Sequence, residues 1–185
     1  MRRLYLWQLS LLHEFGSLQG LLHAPVGRLL ARHGLGPARV ARLKAIAGLL
    51  LHQDETALRQ GGLMSDVASI ARFLKRQIGH SERELFGALF LTSRHELIAW
   101  EVLFAGSIDR AHVHPREVLK PALRHNAAAV VLAHNHPSGI VDPSQADLRL
   151  TADLKALLER VDLRVLDHLI VAPGAYVSFA ARGLI

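Results

Sequence analysis

Apolar residues recur at helical spacing from residue 4 to residue 58, and no part of this stretch alternates between apolar and polar positions as a half-buried strand does. Five glycines interrupt the pattern and predict short helices joined by turns. They are Gly16, Gly20, Gly27, Gly34 and Gly36. Gly61-Gly62 marks a break. We therefore predict a small all-α module over residues 1–62.

The spacing of apolar residues changes from helical to strand-like at Leu85. Ser65 is a candidate N-cap for a helix that ends near Gln77, and we expect this helix to act as a linker within residues 63–80. The elements predicted for residues 81–185 are paired strands at 85–92 and 97–104, a helix at 116–125 that Pro121 should bend or split, a buried strand at 127–133, a helix at 144–160, a strand at 163–171, and a short C-terminal strand and helix. Strands and helices in this order predict an α/β (α+β) domain.

Charge separates the same two parts of the chain. Residues 1–80 hold 11 Lys and Arg against 4 Asp and Glu, a net charge of +7, whereas residues 81–185 carry −1. A basic excess confined to one module is typical of contact with polyanions, most often nucleic acid. A solvated basic helical surface is the alternative interpretation.

Composition sets the broad class of protein. Half of the residues are hydrophobic and 21% are charged, which favours a globular core over a disordered chain. The absence of cysteine excludes disulfides and thiolate zinc sites, and it is compatible with a reducing cytosol. No apolar run approaches the length of a membrane span. We therefore expect a cytoplasmic protein without a membrane partner.

The candidate chemistry lies in His134-Asn135-His136-Pro137, followed by Ser144 and Asp147, a pattern of the form H-x-H-x7-S-x-x-D. Two imidazoles and one carboxylate are the ligand count of a catalytic zinc site that keeps its fourth position open for water. Residues i and i+2 of an extended chain point the same way, so His134 and His136 can face one ion. The pattern predicts one Zn²⁺ per chain.

Two interpretations of Ser144 and Asp147 stay open at this point. Three residues apart at the start of a predicted helix, they share a face, yet Ser-x-x-Asp is also typical of a capping box. His112-Val113-His114 is a second H-x-H without the Ser-x-x-Asp half, and we do not expect it to bind zinc. His168 falls on a predicted buried strand, where a satisfied core histidine is favoured over a contact to a ligand.

These residues carry a resemblance to a known family. H-x-H-x7-S-x-x-D resembles the JAMM motif of the JAB/MPN metalloprotease fold, and the wider context is similar to the bacterial RadC family. That context comprises 114–118, 126–129, 134–139 and 167–171. The resemblance runs from about residue 10 to the C-terminus. It implies a JAB/MPN-like mixed sheet flanked by helices over residues 81–185, behind a helical module.

The resemblance also implies a hydrolase mechanism. The fold supplies a glutamate in a pattern like E-x-x-G-x-L, which Glu84-Leu85-Phe86-Gly87-Ala88-Leu89 matches. Without the resemblance the sequence does not choose among Glu82, Glu84, Glu96 and Glu101. The roles implied are zinc ligands for His134, His136 and Asp147, general base and acid for Glu84, and an oxyanion donor for Ser144. A zinc metallopeptidase of this kind would cleave amide bonds in a peptide or protein substrate.

A second motif lies in the basic module. Gly34-Leu35-Gly36-Pro37, followed by Arg39, Arg42 and Lys44, resembles a helix-hairpin-helix DNA-binding unit. Glycines let a backbone approach a phosphate, and the first amides of the next helix accept its charge. A tight turn between helices is the alternative. RadC relatives are linked by name to DNA repair, so the alternative function is a nucleic-acid-binding protein whose zinc site is structural or inactive.

Overall fold

The computed structural model describes residues 2–60, 66–106 and 113–185, and every structural statement below refers to those ranges. Their helices are α1 (Arg2–Glu14), α2 (Leu18–His23), α3 (Val26–Leu30), α4 (Pro37–Gln60), α5 (Val67–Gln77), α6 (Pro115–Arg124) and α7 (Gln145–Glu159). Their strands are β1 (Leu85–Leu91), β2 (Leu97–Ala105), β3 (Ala129–Asn135), β4 (Arg164–Val171) and β5 (Tyr176–Ser178). None of these helices is long and apolar enough to cross a membrane.

The chain forms two compact units, Met1–Gln53 and Asp54–Ile185. The first unit is helical, as predicted, and its short helices close around one apolar cluster. The buried members of that cluster are Leu11, Phe15, Leu21, Ala24, Leu29, Leu35 and Val40.

The second unit begins inside α4, earlier than the predicted boundary at residue 63. Asp54 is 8% exposed and forms ion pairs with Arg72 and Arg76 of α5. Arg59 donates hydrogen bonds to the carbonyl oxygens of Leu97 and Ile98 at the start of β2. The last turns of α4 and the predicted linker helix α5 are therefore parts of the second unit, because charged side chains join them to each other and to the sheet.

A five-stranded mixed sheet forms the centre of the second unit, with strand order β2-β1-β3-β4-β5. β1 is antiparallel to β2 and β3, and β3 is parallel to β4. Helix α7 makes the crossover between β3 and β4. β3 is buried along its whole length, as expected for a central strand with both faces covered. The predicted mixed sheet flanked by helices is confirmed.

Helices cover both faces of the sheet. One face carries Phe86, Ala88, Phe90, Val130 and Leu132, which pack against buried residues of α6 and α7. Trp100 belongs to the opposite face, because neighbouring residues on a strand alternate between faces and Trp100 pairs with Leu89. Phe73 of α5 meets the Trp100 ring edge-on, with centroids 6.4 Å apart. Helix α5 therefore lies on the face away from α6 and α7.

Three local predictions differ from the structure. Helix α6 is continuous, so of the bend or split predicted at Pro121 the split does not occur; Val118, Pro121 and Ala122 are buried, and this packing holds the helix together. After β5 the predicted C-terminal helix is replaced by hydrogen-bonded turns, in which the amide of Leu184 reaches back to the carbonyl of Phe179.

The third correction concerns the N-cap of α5. The helix is capped by Asp66, whose carboxylate accepts a hydrogen bond from the amide of Ala68. Ser65, the predicted cap, lies outside the described residues, as do Gly61-Gly62 and His112.

The packing around Gly87 in β1 explains why the E-x-x-G pattern has glycine at this position. A Cβ atom at this position would lie 2.5 Å from the carbonyl oxygen of Glu101 and 2.5 Å from Cη2 of Trp100. The indole therefore occupies the space that any other side chain at position 87 would need. Close packing of β1, β2 and α5 requires glycine here.

We predict that Gly87→Ala destabilises the protein by about 1–3 kcal/mol, because the added methyl group overpacks the Trp100 contact. The change in melting temperature by scanning calorimetry measures the effect. Gly48→Ala is the matched control, since Gly48 lies in α4 with open space around its Cα. The control should be neutral or stabilising, as alanine is the better helix former. A Gly87→Ala protein as stable as the wild type would contradict the steric account.

Candidate metal centre

The end of strand β3 places two imidazoles side by side. His134 is the penultimate residue of β3 and is fully buried, and the amide of His136 continues the pairing with β4 by donating to the carbonyl of Val171. Their Nε2 atoms lie 3.0 Å apart. Because β3 is bonded to neighbours on both sides, the positions of the two rings are fixed by the sheet.

Helix α7 brings the carboxylate of Asp147 to the same point. Asp147 is 1% exposed, with Oδ1 3.2 Å from His134 Nε2 and Oδ2 3.7 Å from His136 Nε2. The ligand atoms of the three residues all lie within 4.8 Å of one another. The structure therefore brings together the three predicted ligands; that they bind zinc stays a prediction.

The donor set fits a zinc ion. The Nδ1 atom of His136 lies 2.6 Å from the carbonyl oxygen of Ile140, so Nδ1 carries a proton and donates it. When the ring is neutral, its Nε2 atom is the nitrogen that offers a lone pair to a metal ion. A cation bound by both Nε2 atoms would offset the repulsion between their lone pairs. Neighbouring nitrogens in a tetrahedral zinc site lie about 3.4 Å apart, close to the separation observed.

Charges within the cluster influence one another. Burial alone would raise the pKa of Asp147, but hydrogen-bond contacts with His134 and His136, together with the hydrogen bond from Ser144, outweigh burial and hold that pKa well below its usual range. The hydrogen bond with Asp147 raises the pKa of His136, and the charge of Glu84 adds to the rise. The site is thus organised around an ionised carboxylate.

Ser144 caps helix α7, so the capping-box interpretation is confirmed. Its Oγ accepts a hydrogen bond from the amide of Asp147 and donates one of 2.7 Å to Asp147 Oδ2. The amide of Ser144 donates to the same carboxylate oxygen at 2.8 Å. The same hydrogen bonds cap helix α7 and orient the carboxylate of Asp147. The predicted role of Ser144 as an oxyanion donor stays a prediction.

Glu84 precedes β1 at the metal end of the sheet. The antiparallel register ends at the pair Phe86 and His134, and its direction carried two residues further would bring Glu84 opposite His136. The charge of Glu84, which helps to raise the pKa of His136, agrees with this nearness. Directly paired residues share a face, so Glu84 and the imidazoles belong to the same side. Glu84 is half-buried, and its backbone carbonyl accepts a hydrogen bond from the amide of Gly106.

The other candidate glutamates have different surroundings. Glu96 lies in the turn between β1 and β2, where its carbonyl accepts from the amide of Thr92. Glu101 binds Arg124 and His125 of the α6 region. Glu82 is exposed. Register thus favours Glu84 among the four.

Asn135 ties the end of β3 to the segment that carries Glu84. Its buried side chain accepts a 2.7 Å hydrogen bond from the amide of Leu85 and donates to the carbonyl oxygens of Ser81 and Arg83. Sequence reasoning did not predict these partners of Asn135, so this role was missed. An amide between two ligands on a buried strand was the available signal, because such a group needs partners.

Two further buried residues lie behind His134. His168 Nε2 is 2.8 Å from His134 Nδ1, and Thr151 Oγ1 is 2.6 Å from His168 Nδ1. Burial lowers the pKa of His168 well below its usual value, so the ring is neutral. His168 is both a satisfied core histidine and a contact to a candidate ligand. Sequence reasoning did not single out Thr151, although it follows Asp147 by one helical turn.

The candidate DNA-binding residues lie together in the first unit. Gly34 has φ +88°, and a Cβ there would lie 3.0 Å from Trp7 Nε1. Arg39 lies over the Trp7 ring, 5.4 Å from its centroid, and donates a 2.6 Å hydrogen bond to the carbonyl of Gly34. Arg39 and Gly34 therefore help to build the turn before α4. Gly36 is exposed, with open space around it.

Lys44 and Arg42 have different surroundings. The Lys44 ammonium donates to the carbonyl oxygens of Leu22 and Ala24 at the end of α2, and burial lowers its pKa. Lys44 thus satisfies helix C-terminal carbonyls, a structural task. Arg42 is exposed on α4.

If the site binds zinc and hydrolyses amide bonds, we predict that Asn135→Leu lowers that activity more than zinc affinity, because it releases the backbone before β1 and with it the position of Glu84. Measuring turnover and zinc affinity on the same preparations tests this. Ser138→Ala is the control, since exposed Ser138 makes a local hydrogen bond to the amide of Ile140. Equal losses of activity in the two variants would argue against the role of Asn135.

Comparisons with known proteins agree with this architecture. The model of the family described as RadC-like JAB domain matches residues 64–184. A UPF0758 protein of Azotobacter vinelandii is 47% identical over 173 residues, which cover 94% of this chain and 77% of the relative. A UPF0758 protein of Nitrosococcus oceani is 48% identical over 176 residues, covering 95% and 79%. The chain therefore belongs to the family of proteins with a RadC-like JAB domain.

Proposed function

We propose that this protein is a zinc-dependent hydrolase of amide bonds, in a peptide or an isopeptide, of the RadC type. The observation that carries the proposal is the convergence of His134, His136 and Asp147 at the end of β3, with their ligand atoms within 4.8 Å of one another. A RadC-like JAB domain over this part of the chain is compatible with such a hydrolase.

His134, His136 and Asp147 would hold the zinc ion. When bound, the ion would lower the pKa of a water molecule and polarise the carbonyl group of a substrate. The chain's own contribution is to orient the donors. The sheet fixes both imidazoles, and the cap of α7 fixes the carboxylate of Asp147. Ligands held in place before binding lose little freedom when the ion arrives.

Glu84 supplies the proton transfers. It accepts a proton from the attacking water and later delivers that proton to the departing amine, so one carboxyl group serves as base and then as acid. Its place opposite His136 and the anchoring of residues 81–85 by Asn135 support this role. Ser144 is the proposed donor to the oxyanion, a role in which its hydroxyl would turn away from Asp147 Oδ2, to which it donates in this structure.

The alternative function is a nucleic-acid-binding protein with a structural or inactive zinc site. A structural zinc site has four protein ligands. The candidate cluster found among the described residues has three, which leaves a position for water. The charge of half-buried Glu84 acts on His136, so a carboxylate lies close to the cluster, as proton transfer to and from a reacting group requires. Both observations favour the hydrolase.

We predict about one zinc per chain in the wild-type protein and its loss in His134→Ala, measured by elemental analysis. Glu84→Gln should retain zinc and lose activity by about 10²–10⁴-fold, because the amide cannot accept the proton. A panel of fluorogenic peptides and isopeptides supplies the activity measurement. Glu82→Gln, the same change at an exposed neighbour, should behave as wild type. A wild-type protein that binds no zinc would overturn the proposal, and undiminished turnover in Glu84→Gln would remove Glu84 as the base.

DNA contact by the first unit is a second proposal. It is supported by the open space around Gly36 at the start of α4 and by exposed Arg42, six residues further along. Phosphate groups contact exposed backbone amides and arginines without reading sequence. Because Lys44 already serves the end of α2, Arg42 is the cation that we expect to contribute most.

For the full chain and a fluorescent duplex, we predict binding that weakens steeply with salt, measured by anisotropy. Arg42→Ala should reduce the slope of log affinity against log salt by about 0.9, one phosphate contact. Lys44→Met should keep the slope and lower the melting temperature, because it removes the donor to two helix carbonyls. No binding at low salt, or an unchanged slope in Arg42→Ala, would argue against this surface.

A further inference from the structure

We propose that Thr151 and His168 are positioning residues for the metal centre: together they hold the proton of His134 on Nδ1 and leave Nε2 to bind a divalent cation. The inference rests on the proposed zinc site but not on any hydrolytic activity. It concerns which ring nitrogen of a ligand carries hydrogen, and this is fixed by a chain of buried hydrogen bonds.

The chain begins at a backbone carbonyl, which can only accept. Thr151 Oγ1 lies 2.6 Å from the carbonyl oxygen of Asp147, so the hydroxyl must donate its single proton there. The hydroxyl oxygen can then only accept from its second partner, His168 Nδ1, at 2.6 Å. His168 is therefore protonated on Nδ1.

The same reasoning passes through the second ring. A neutral imidazole with its proton on Nδ1 presents a lone pair at Nε2. His168 Nε2 lies 2.8 Å from His134 Nδ1, so His134 must donate from Nδ1. The remaining nitrogen of His134, Nε2, lies 3.2 Å from Asp147 Oδ1 and 3.0 Å from His136 Nε2, and in the neutral ring it offers its lone pair to a cation held between them. That is the form of the ring that binds a metal.

Burial removes the alternatives to this arrangement. His134 and His168 are fully buried and Thr151 is 2% exposed, so water cannot substitute for a missing partner. The His168 ring is held by an edge contact with Phe86, at 5.8 Å between centroids, and by the Phe179 ring at 4.7 Å. With Nε2 protonated instead, His134 would present its Nδ1 lone pair to the lone pair of His168.

The residues at the two ends of this series of hydrogen bonds are candidate zinc ligands. The series starts at the backbone carbonyl of Asp147 in α7 and ends at the ring of His134 in β3. Between them it passes through His168 in β4. Most metal-binding histidines donate to a carboxylate or a backbone carbonyl. Here a second histidine takes that place, so the orientation of the ligand depends on a threonine two hydrogen bonds away.

Thr151→Val tests the inference, since it keeps the shape of the side chain and removes the acceptor for His168 Nδ1. His168 then has no reason to keep its proton on Nδ1. We expect zinc affinity, measured by chelator competition, to fall about 10–100-fold. Thr151→Ser restores the hydroxyl and should restore the affinity. Thr56→Val, the same change in α4, should leave zinc affinity unchanged.

The tautomers themselves give a readout that a structural role would not move. In the metal-free wild-type protein, ¹⁵N shifts of the histidine rings should show His134 and His168 both protonated on Nδ1. In Thr151→Val the His168 pattern should change. The opposite tautomer of His134 in the wild type would overturn the inference even if no variant folds. So would wild-type zinc affinity in a folded Thr151→Val protein. A wild-type chain that binds no zinc would instead refute the metal centre itself.

Discussion

The register between β1 and β3 is the constraint on which the candidate site depends. Antiparallel pairing of Phe86 with His134 aligns the approach to β1 with the end of β3, and this alignment brings Glu84 near enough to His136 for its charge to act on that ring. A slip of one residue would turn every side chain of β1 to the other face and remove the carboxylate from the imidazoles. Gly87 and Trp100 fix β1 from the β2 side, and Asn135 fixes its start.

Buried polar residues around the site each contact more than one polar partner. The carboxylate of Asp147 accepts from the cap residue Ser144 while facing both imidazoles, and its carbonyl accepts from Thr151. In an apolar interior an unpaired polar group is costly, so such networks persist when every member is satisfied. This accounts for the dense hydrogen bonding where β3, β4 and α7 meet.

Local pattern predicted the elements well, because apolar periodicity and turn residues act over a few positions. The helical first unit, the β1–β2 pair, α7 and β4 follow from it. Long-range partners could not be predicted: nothing near Asn135 in sequence points to Ser81 or Leu85, and nothing near His168 points to Thr151. At Pro121 the local pattern predicted an interruption that does not occur, because tertiary packing keeps the helix continuous through this residue. The cap at Asp66 was misplaced because two adjacent residues can each perform the task.

Arg59 has a consequence for how the protein behaves at high concentration. β2 is the outer strand of the sheet, and an outer strand offers unpaired carbonyl and amide groups to any other polypeptide. By donating to the carbonyls of Leu97 and Ile98, the guanidinium occupies the acceptors at which such pairing would start, and it puts a charge there. A side chain that joins α4 to the sheet thereby also guards the molecule against aggregation through its edge.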